Sequence, residues 1–375
     1  MDIKTVMIRP SGNGCNLSCT YCYASCETAK INFLSIDDLK KMFELVKKEN
    51  PDCYLDIFFH GGEPLLWGID NYKKVFSWIK KNNSNYKLKI QTNGILLNND
   101  YLALFKKYSI YISLSLDGPK SINDLTRIYK DNSSTYATVL NATQKLRKQQ
   151  NRIGTISVIT KYHLGKEKEL YDFYKNKKLG FQPSPLINYG RAKKNSELMI
   201  TSKEYYQFII NLFNIWYKDN NPLNIPYFLN IISAIINHKT ISMCKFSKGC
   251  VNTKKYICLN SNGDISICNR TAEVGQEFIF GNINNIKSLN EIYNSKKYKH
   301  LQKRSKLLEK QCINCKLYKL KLCAGAGGCP FLAHIQGDVN KLPKSCPEDA
   351  KITLYIYNKI KNYIPELRNR CGVIV

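Results

Sequence analysis

Apolar residues along the first half of the chain fall into short runs of strand type, and between these runs the apolar period lengthens to that of a helix. Strand-type runs occupy 5–9, 54–59, 88–91, 111–116, 154–160 and about 181–187. Helical spacing fills 35–48, 72–81, 99–107, 136–149 and 166–177. Ser35-Ile36-Asp37-Asp38 reads as a capping box, with Ser35 at the N-cap and Asp38 where Glu or Gln is usual. Six strand–helix alternations predict an α/β fold on a parallel sheet, either doubly wound or of barrel type. Functional groups of such folds collect at the C-terminal ends of the strands. A longer amphipathic helix over 201–220 carries a core stripe of Tyr205, Phe208, Ile209, Leu212, Ile215 and Trp216. From Cys244 the alternation fades and cysteines crowd together. The boundary is placed at 235–243, giving a first domain over 1–238, a cysteine-rich domain over 239–350 and a C-terminal helix and tail over 351–375.

At 43% hydrophobic, the 375 residues are too apolar for a disordered chain. The net charge of +28 favours acidic partners. Its lysines are nonetheless spread over presumptive helix faces such as Lys40, Lys41, Lys47 and Lys48, which reads as a solvated surface. No nucleic-acid-binding motif accompanies them, so a nucleic-acid role is not expected. No apolar run reaches membrane-spanning length; 229–236 is a typical longest stretch. The N-terminus lacks a signal layout, so a cytoplasmic, non-membrane protein is expected. In a reducing compartment the 15 cysteines are better metal ligands than disulfide partners.

Cys15, Cys19 and Cys22 form Cys-x3-Cys-x2-Cys directly after the first strand. Three thiolates hold three irons of a cubane and leave the fourth open to a small molecule, whereas electron-transfer clusters use four. Zinc is the competing metal, but its structural sites take four ligands. Cys26, if a ligand, would close the set. These cysteines, with Tyr21 before the last, resemble the radical S-adenosylmethionine (SAM) superfamily. His60-Gly61-Gly62-Glu63-Pro64 after the second strand, Gln91-Thr92-Asn93-Gly94 after the third, Ser115-Leu116-Asp117-Gly118-Pro119 after the fourth, and then Arg127, extend the resemblance. It implies a partial (β/α)6 barrel and a SAM-binding 4Fe–4S cluster. Tyr21, Gly61, Gly62, Glu63, Thr92, Asn93, Ser115 and Arg127 are then the expected cofactor-binding residues. The glycines would admit the methionyl backbone, Glu63 would accept hydrogen bonds from the ammonium, and Ser115 and Arg127 would meet ribose hydroxyls and the carboxylate. The implied chemistry is reductive cleavage of SAM to methionine and a 5′-deoxyadenosyl radical, which abstracts hydrogen from an unactivated C–H bond.

The later cysteines resemble the SPASM extension of that superfamily, a domain with small β-hairpins and helices that houses two auxiliary 4Fe–4S clusters, three in all with the first. Asn262-Gly263 is itself a hairpin signal. The resemblance implies one ligand set of Cys244, Cys250, Cys268 and Cys329, and a second of Cys312, Cys315, Cys323 and Cys346. The gaps before Cys323 and Cys329, seven and five residues, are longer than the pattern's. Cys258 rivals Cys250 as a ligand. Without Cys244, the first set would leave an iron open to a substrate thiolate. Cys26, Cys53, Cys258 and Cys371 remain over, Cys53 and Cys258 being read as small buried hydrophobes. A zinc ribbon at Cys312 and Cys315 needs a matching pair.

Order and length resemble anaerobic sulfatase-maturating enzymes and the maturases of ribosomally made peptides. The sulfatase-type pattern places an Asp general base directly after the cysteine matching Cys268; here it is Asn269. An amide cannot take up a proton at neutral pH, so the expected reaction is oxidative modification of a peptide or protein side chain by thioether or carbon–carbon crosslinking. Formylglycine formation from Cys or Ser is the alternative. His60 and Asp264 are the catalytic candidates, with Tyr21 and Tyr23 behind them. Expected partners are a peptide or protein substrate, an acidic leader or else a separate leader-recognition protein, because the chain opens on its first strand, and a flavodoxin- or ferredoxin-type electron donor. An iron–sulfur protein without chemistry and a nucleic-acid-modifying enzyme are the competing classes.

Overall fold

The computed structural model describes residues 3–24, 31–149 and 152–363; Cys26 and Cys371 lie outside them. Nine strands form one sheet: β1 Ile3–Arg9, β2 Tyr54–Phe59, β3 Tyr86–Thr92, β4 Tyr111–Ser115, β5 Arg152–Ile159, β6 Phe181–Pro185, β7 Tyr256–Asn260, β8 Asp264–Ser266 and β9 Gly281–Asn282. Their spatial order is β6-β5-β4-β3-β2-β1-β7-β8-β9. Strands β1 to β6 are parallel and stand in strict sequence order. A doubly wound sheet reverses direction beside its first strand and so has a switch point; this one winds one way only, as a partial (β/α)6 barrel does. The sheet stays open at β6, where Pro183 and Pro185 withhold backbone donors from any further strand.

The cysteine-rich part is not a separate sheet. β7 pairs in parallel with the free edge of β1, from Thr5↔Tyr256 to Arg9↔Asn260, and β8 and β9 follow antiparallel. The β7–β8 hairpin turns at Gly263, whose φ of 82° suits glycine. Its loop has three residues, the class that ends with glycine in the left-handed region.

The first helix, Ile36–Glu49, is capped as expected by Ser35, whose Oγ accepts from Asp38 N at 3.0 Å. Only that half of the box forms, because the Asp38 side chain is one methylene shorter than Glu. Thr201–Glu204 and Ser288–Glu291 make the full reciprocal box. The helix Ser202–Lys218 buries Tyr205, Phe208, Ile209, Leu212, Phe213 and Trp216. It packs with Pro226–Ile236 and with Cys346–Ile360, whose Ile352, Ile356 and Ile360 belong to the same core. That last helix starts earlier than the tail drawn from the sequence. No described helix is long and apolar enough to cross a membrane.

Candidate active site

The C-terminal ends of β1 to β5 are joined by a band of polar contacts. The β2 loop lies on the loop after β1, with Gly62 N donating to Gly12 O at 2.8 Å and Glu63 N to Gly14 O at 2.7 Å. A Cβ on Gly62 would stand 2.2 Å from Gly14 O; one on Gly61, at φ 115°, would stand 2.8 Å from Gly12 O. Close backbone approach therefore requires both glycines, and the nearest backbone is the cysteine loop itself. Glu63 is fully buried. It accepts from Leu65 N and Thr92 Oγ1 on one oxygen (3.0 and 2.7 Å) and from Asn93 N on the other (2.8 Å). Burial raises its carboxyl to about 7 against the pull of those three bonds. Asn93 donates to Asn16 Oδ1 at 2.8 Å and lies 3.8 Å from Cys15 Sγ. Gln91 Nε2 donates to Ser115 Oγ at 3.0 Å, tying β3 to β4.

Asp117, with no exposed surface, is a hub that its position in the sequence did not reveal. It accepts from Tyr21 OH at 2.6 Å, Thr126 Oγ1 at 3.4 Å and Val158 N at 2.9 Å, and pairs with Arg127 at 2.9 Å. Arg127 also lies over the Tyr21 ring, 5.4 Å from its centroid. Burial opposes the guanidinium charge, but the Asp117 carboxylate outweighs it and holds Arg127 firmly protonated. Tyr21 and Arg127 are thus locked to the end of β4.

Cys15, Cys19 and Cys22 share the loop that this band anchors. A second turn closes over it: Arg191 N donates to Cys22 O at 2.9 Å, Arg191 Nη1 to Cys19 O at 3.2 Å and Asn195 Nδ2 to Thr20 O at 2.8 Å. Burial, with the neighbouring acids and thiols, pushes Cys15 up to about 12 and Cys19 up to about 11.

The later cysteines fall into two groups by mutual interaction. Cys268, Cys329 and the exposed Cys244 bear on the Cys250 thiol. Cys323, Cys312 and Cys315 bear on Cys346, and Cys312 and Cys315 bear on Cys323. Cys258 instead lies within β7 with no exposed surface, opposite Met7 and Ser266. Burial first, and like charge second, raises Cys250, Cys329 and Cys346, the last two to about 11 and about 12. Cys312, Cys315, Cys323 and Cys346 line a cavity of about 190 Å³, and Cys329 of the other group lines it as well. Among the described residues no three His, Cys, Asp or Glu side chains converge tightly enough for a single metal ion. Buried thiols whose neutral form is favoured need a strong cationic centre to become thiolates, which an iron cluster supplies. The donors are all thiols, the ligand type that an iron cluster takes.

Between the two cysteine regions, Asn269 Nδ2 donates to Tyr23 OH at 2.8 Å and lies 3.3 Å from His60 Nδ1. His60 Nδ1 also accepts from Gly61 N at 2.7 Å. Burial, with Arg9 and Arg270 nearby, depresses His60 to about 3 and keeps it neutral. Asp264 is placed differently: its carboxylate accepts from Asn262 and Asn282 within the hairpin, at 2.8 and 3.0 Å. Arg9 bridges the regions, donating to Asn260 Oδ1 at 3.0 Å and to Asn13 Oδ1.

A one-way parallel sheet with a three-cysteine loop after β1, extended by a cysteine-rich region on β1's other edge, is the arrangement of a radical SAM domain followed by an auxiliary iron–sulfur domain. The radical SAM superfamily model matches residues 10–174, and the SPASM iron–sulfur cluster-binding domain model matches 250–316; the chain carries a radical SAM domain and a SPASM domain. The cysteine-type anaerobic sulfatase-maturating enzyme of Clostridium perfringens is 28% identical over 343 residues, covering 87% of this chain and 88% of its own. The structure of anSMEcpe with bound AdoMet and Kp18Cys peptide superposes at a TM-score of 0.82, with 25% identity, over 96% of this chain and 99% of that one. Streptococcus suis SuiB bound to precursor peptide SuiA shares the fold at a TM-score of 0.66, covering 92% of this chain and 76% of its own, at 18% identity. The two domains imply iron–sulfur clusters and SAM binding.

Proposed function

We propose that this chain is an anaerobic maturase of the sulfatase-maturating type, oxidising a Cys side chain in a peptide or protein to formylglycine. The likeness to a cysteine-type enzyme over 87% of the chain carries this reading and displaces crosslinking as the first choice. In it, Cys15, Cys19 and Cys22 hold the SAM cluster, and the sets Cys244/Cys250/Cys268/Cys329 and Cys312/Cys315/Cys323/Cys346 hold two auxiliary ones. Bound there, cluster and SAM supply the deoxyadenosyl radical that abstracts hydrogen. Glu63 and Asn93 shape the SAM pocket by fixing the ends of β2 and β3. Tyr23, His60 and Asn269 face the substrate.

Asn269 bears on which substrate is used. Oxidising a side chain after hydrogen abstraction also removes the proton on sulfur or oxygen. A thiol, with an ordinary pKa near ~8.5, releases it without a carboxylate, whereas an alcohol needs a strong base. The Tyr23–His60–Asn269 group offers neutral acceptors only, which favours Cys over Ser. The same substitution supports a second reading, thioether or carbon–carbon crosslinking of a peptide, in which the carbon radical is joined to sulfur or to a second carbon, with loss of a second hydrogen and an electron, rather than converted to an aldehyde. A flavodoxin- or ferredoxin-type donor is the expected electron source.

The test is anaerobic incubation of the reconstituted enzyme, with SAM and reductant, on matched peptides bearing Cys or Ser. Hydrazine-trapped aldehyde from the Cys peptide, with little from Ser, is the expected outcome. A crosslinked product without aldehyde would move the assignment to the second reading.

A further inference from the structure

The helix Lys296–Cys312 carries seven Lys or Arg residues against one acid, Glu309. One of the seven, Arg304, is buried and donates to the carbonyls of Val339, Gly327 and Lys341. Lys296, Lys299, Lys303, Lys306 and Lys310 recur three and four residues apart and are all exposed, so they line one face. On other helices some lysines are answered locally, Lys40 by Asp37, Lys73 by Asp70, Lys168 by Asp172 and Lys351 by Glu348, while others such as Lys80 and Lys81 are not but stand in no comparable row. Among the described residues, the five lysines of this face have no such acid.

Towards its C-terminal end the face becomes apolar. Leu307 is 64% exposed and Ile313, just past the helix, 49%; they are two of only seven large hydrophobics so exposed among the described residues. Cys312 and Cys315 follow at once and line the cavity that holds Cys323 and Cys346. Cations surrounding two bare aliphatics thus stand beside a cysteine centre.

We infer that this face docks an acidic one-electron carrier protein, and that the Cys312/Cys315/Cys323/Cys346 centre is its redox contact. The inference rests on the cluster assignment proposed above. Unanswered lysines steer an acidic partner from a distance, and the aliphatics provide close contact without desolvating charge. The face offers neither exposed arginine forks nor an aromatic platform, which a phosphate backbone with bases would engage. In the exchange, the reduced carrier gives up one electron and the cluster held by these cysteines gains it; no bond forms and no proton moves.

The test measures reduction of the anaerobically reconstituted full chain by a reduced, acidic two-cluster ferredoxin in stopped flow. The variants are Lys303/Lys306/Lys310→Glu, Leu307→Ser and a control, Lys80/Lys81→Glu, on another exposed surface. At low salt the triple reversal should slow the second-order rate about tenfold or more and abolish its salt dependence. Leu307→Ser should slow it about threefold, and the control should stay within about twofold. Deoxyadenosine formation driven by dithionite should be unchanged in all three. A triple variant with full iron and the wild-type rate would overturn the docking face alone. Loss of binding to a short RNA, with carrier reduction intact, would overturn it in favour of a nucleic-acid surface. Iron confined to the first cysteine loop would overturn the auxiliary centre and the docking face together.

Discussion

Cys15, Cys19 and Cys22 lie on a loop bonded from three sides, by the β2 loop, by Asn93 and by the turn of Arg191 and Asn195. The run from Cys312 to Cys346 is tied to the rest of the chain more sparsely, around Cys323 by Ala324 N to Phe246 O at 2.8 Å and Ile241 N to Leu322 O at 3.0 Å. Its regular structure is one helix of four residues and one of six, separated by left-handed glycines at 325, 327 and 328. A main fastening is Arg304, whose guanidinium holds the carbonyls of Gly327, Val339 and Lys341. One cysteine centre is thus arranged on all sides by the protein; in the other, contacts flank Cys323 and Arg304 holds the glycine turn, while the stretch towards Cys346 has less regular structure. The difference teaches that metal binding is a ligand-binding step in the first region and a folding step in the second.

The largest expected effect is on metal removal. Chelation under reducing conditions should leave β1–β4 amides slow to exchange and speed exchange across 312–346 by orders of magnitude, as followed by hydrogen-exchange mass spectrometry. Equal protection in both regions would end the contrast. Next comes Arg304→Met, which leaves buried carbonyls unanswered. It should cost about 3 kcal/mol and release iron from the second region while SAM binding persists. The mirror experiment is Asp117→Asn. Arg127 loses its counter-charge, the cost is about 3 kcal/mol, and SAM affinity falls while the C-terminal iron stays. Calorimetric unfolding and iron analysis on both variants show whether the two losses separate.

Smaller effects come from the meeting point of the regions. Asn269→Asp should barely change stability but allow aldehyde formation on the Ser peptide, by restoring a proton acceptor. His60, depressed to about 3 in the fold, stays neutral across the working range, so the rate profile should show no limb belonging to it. In the unfolded chain it takes a proton below about 6.5. It therefore contributes a loss of stability as pH falls from about 6.5 towards 3, and His60→Gln should flatten that part of the melting-temperature profile.

Local signals were legible. Strand periods, the Ser35 cap, the Asn262-Gly263 turn and the spacing of Cys15, Cys19 and Cys22 each depend on residues close in sequence. What escaped depends on distant partners. Nothing local shows that Asp117 gathers Tyr21, Arg127 and Val158, or that Asn269 reaches Tyr23. The glycines at 61 and 62 were read as making room for a ligand; their backbones first make room for the cysteine loop. The helix Pro226–Ile236 is apolar on most sides, its polar side reduced to Asn230 and Ser233, so it stands out less in the sequence than a surface helix with a charged face. The region boundary marks a change of texture, yet the sheet runs across it.

That continuity has a consequence for synthesis. Strand β1 is made first, and β2 covers one of its edges soon after. The other edge waits for β7; Arg9 and its partner Asn260 are 251 residues apart in sequence. Until then the nascent chain presents a bare row of backbone donors and acceptors next to the loop of Cys15, Cys19 and Cys22. A ribosome that stalls before residue 256 leaves an adhesive half-molecule, so slow translation or scarce chaperone should lower the yield of soluble protein even when iron is plentiful.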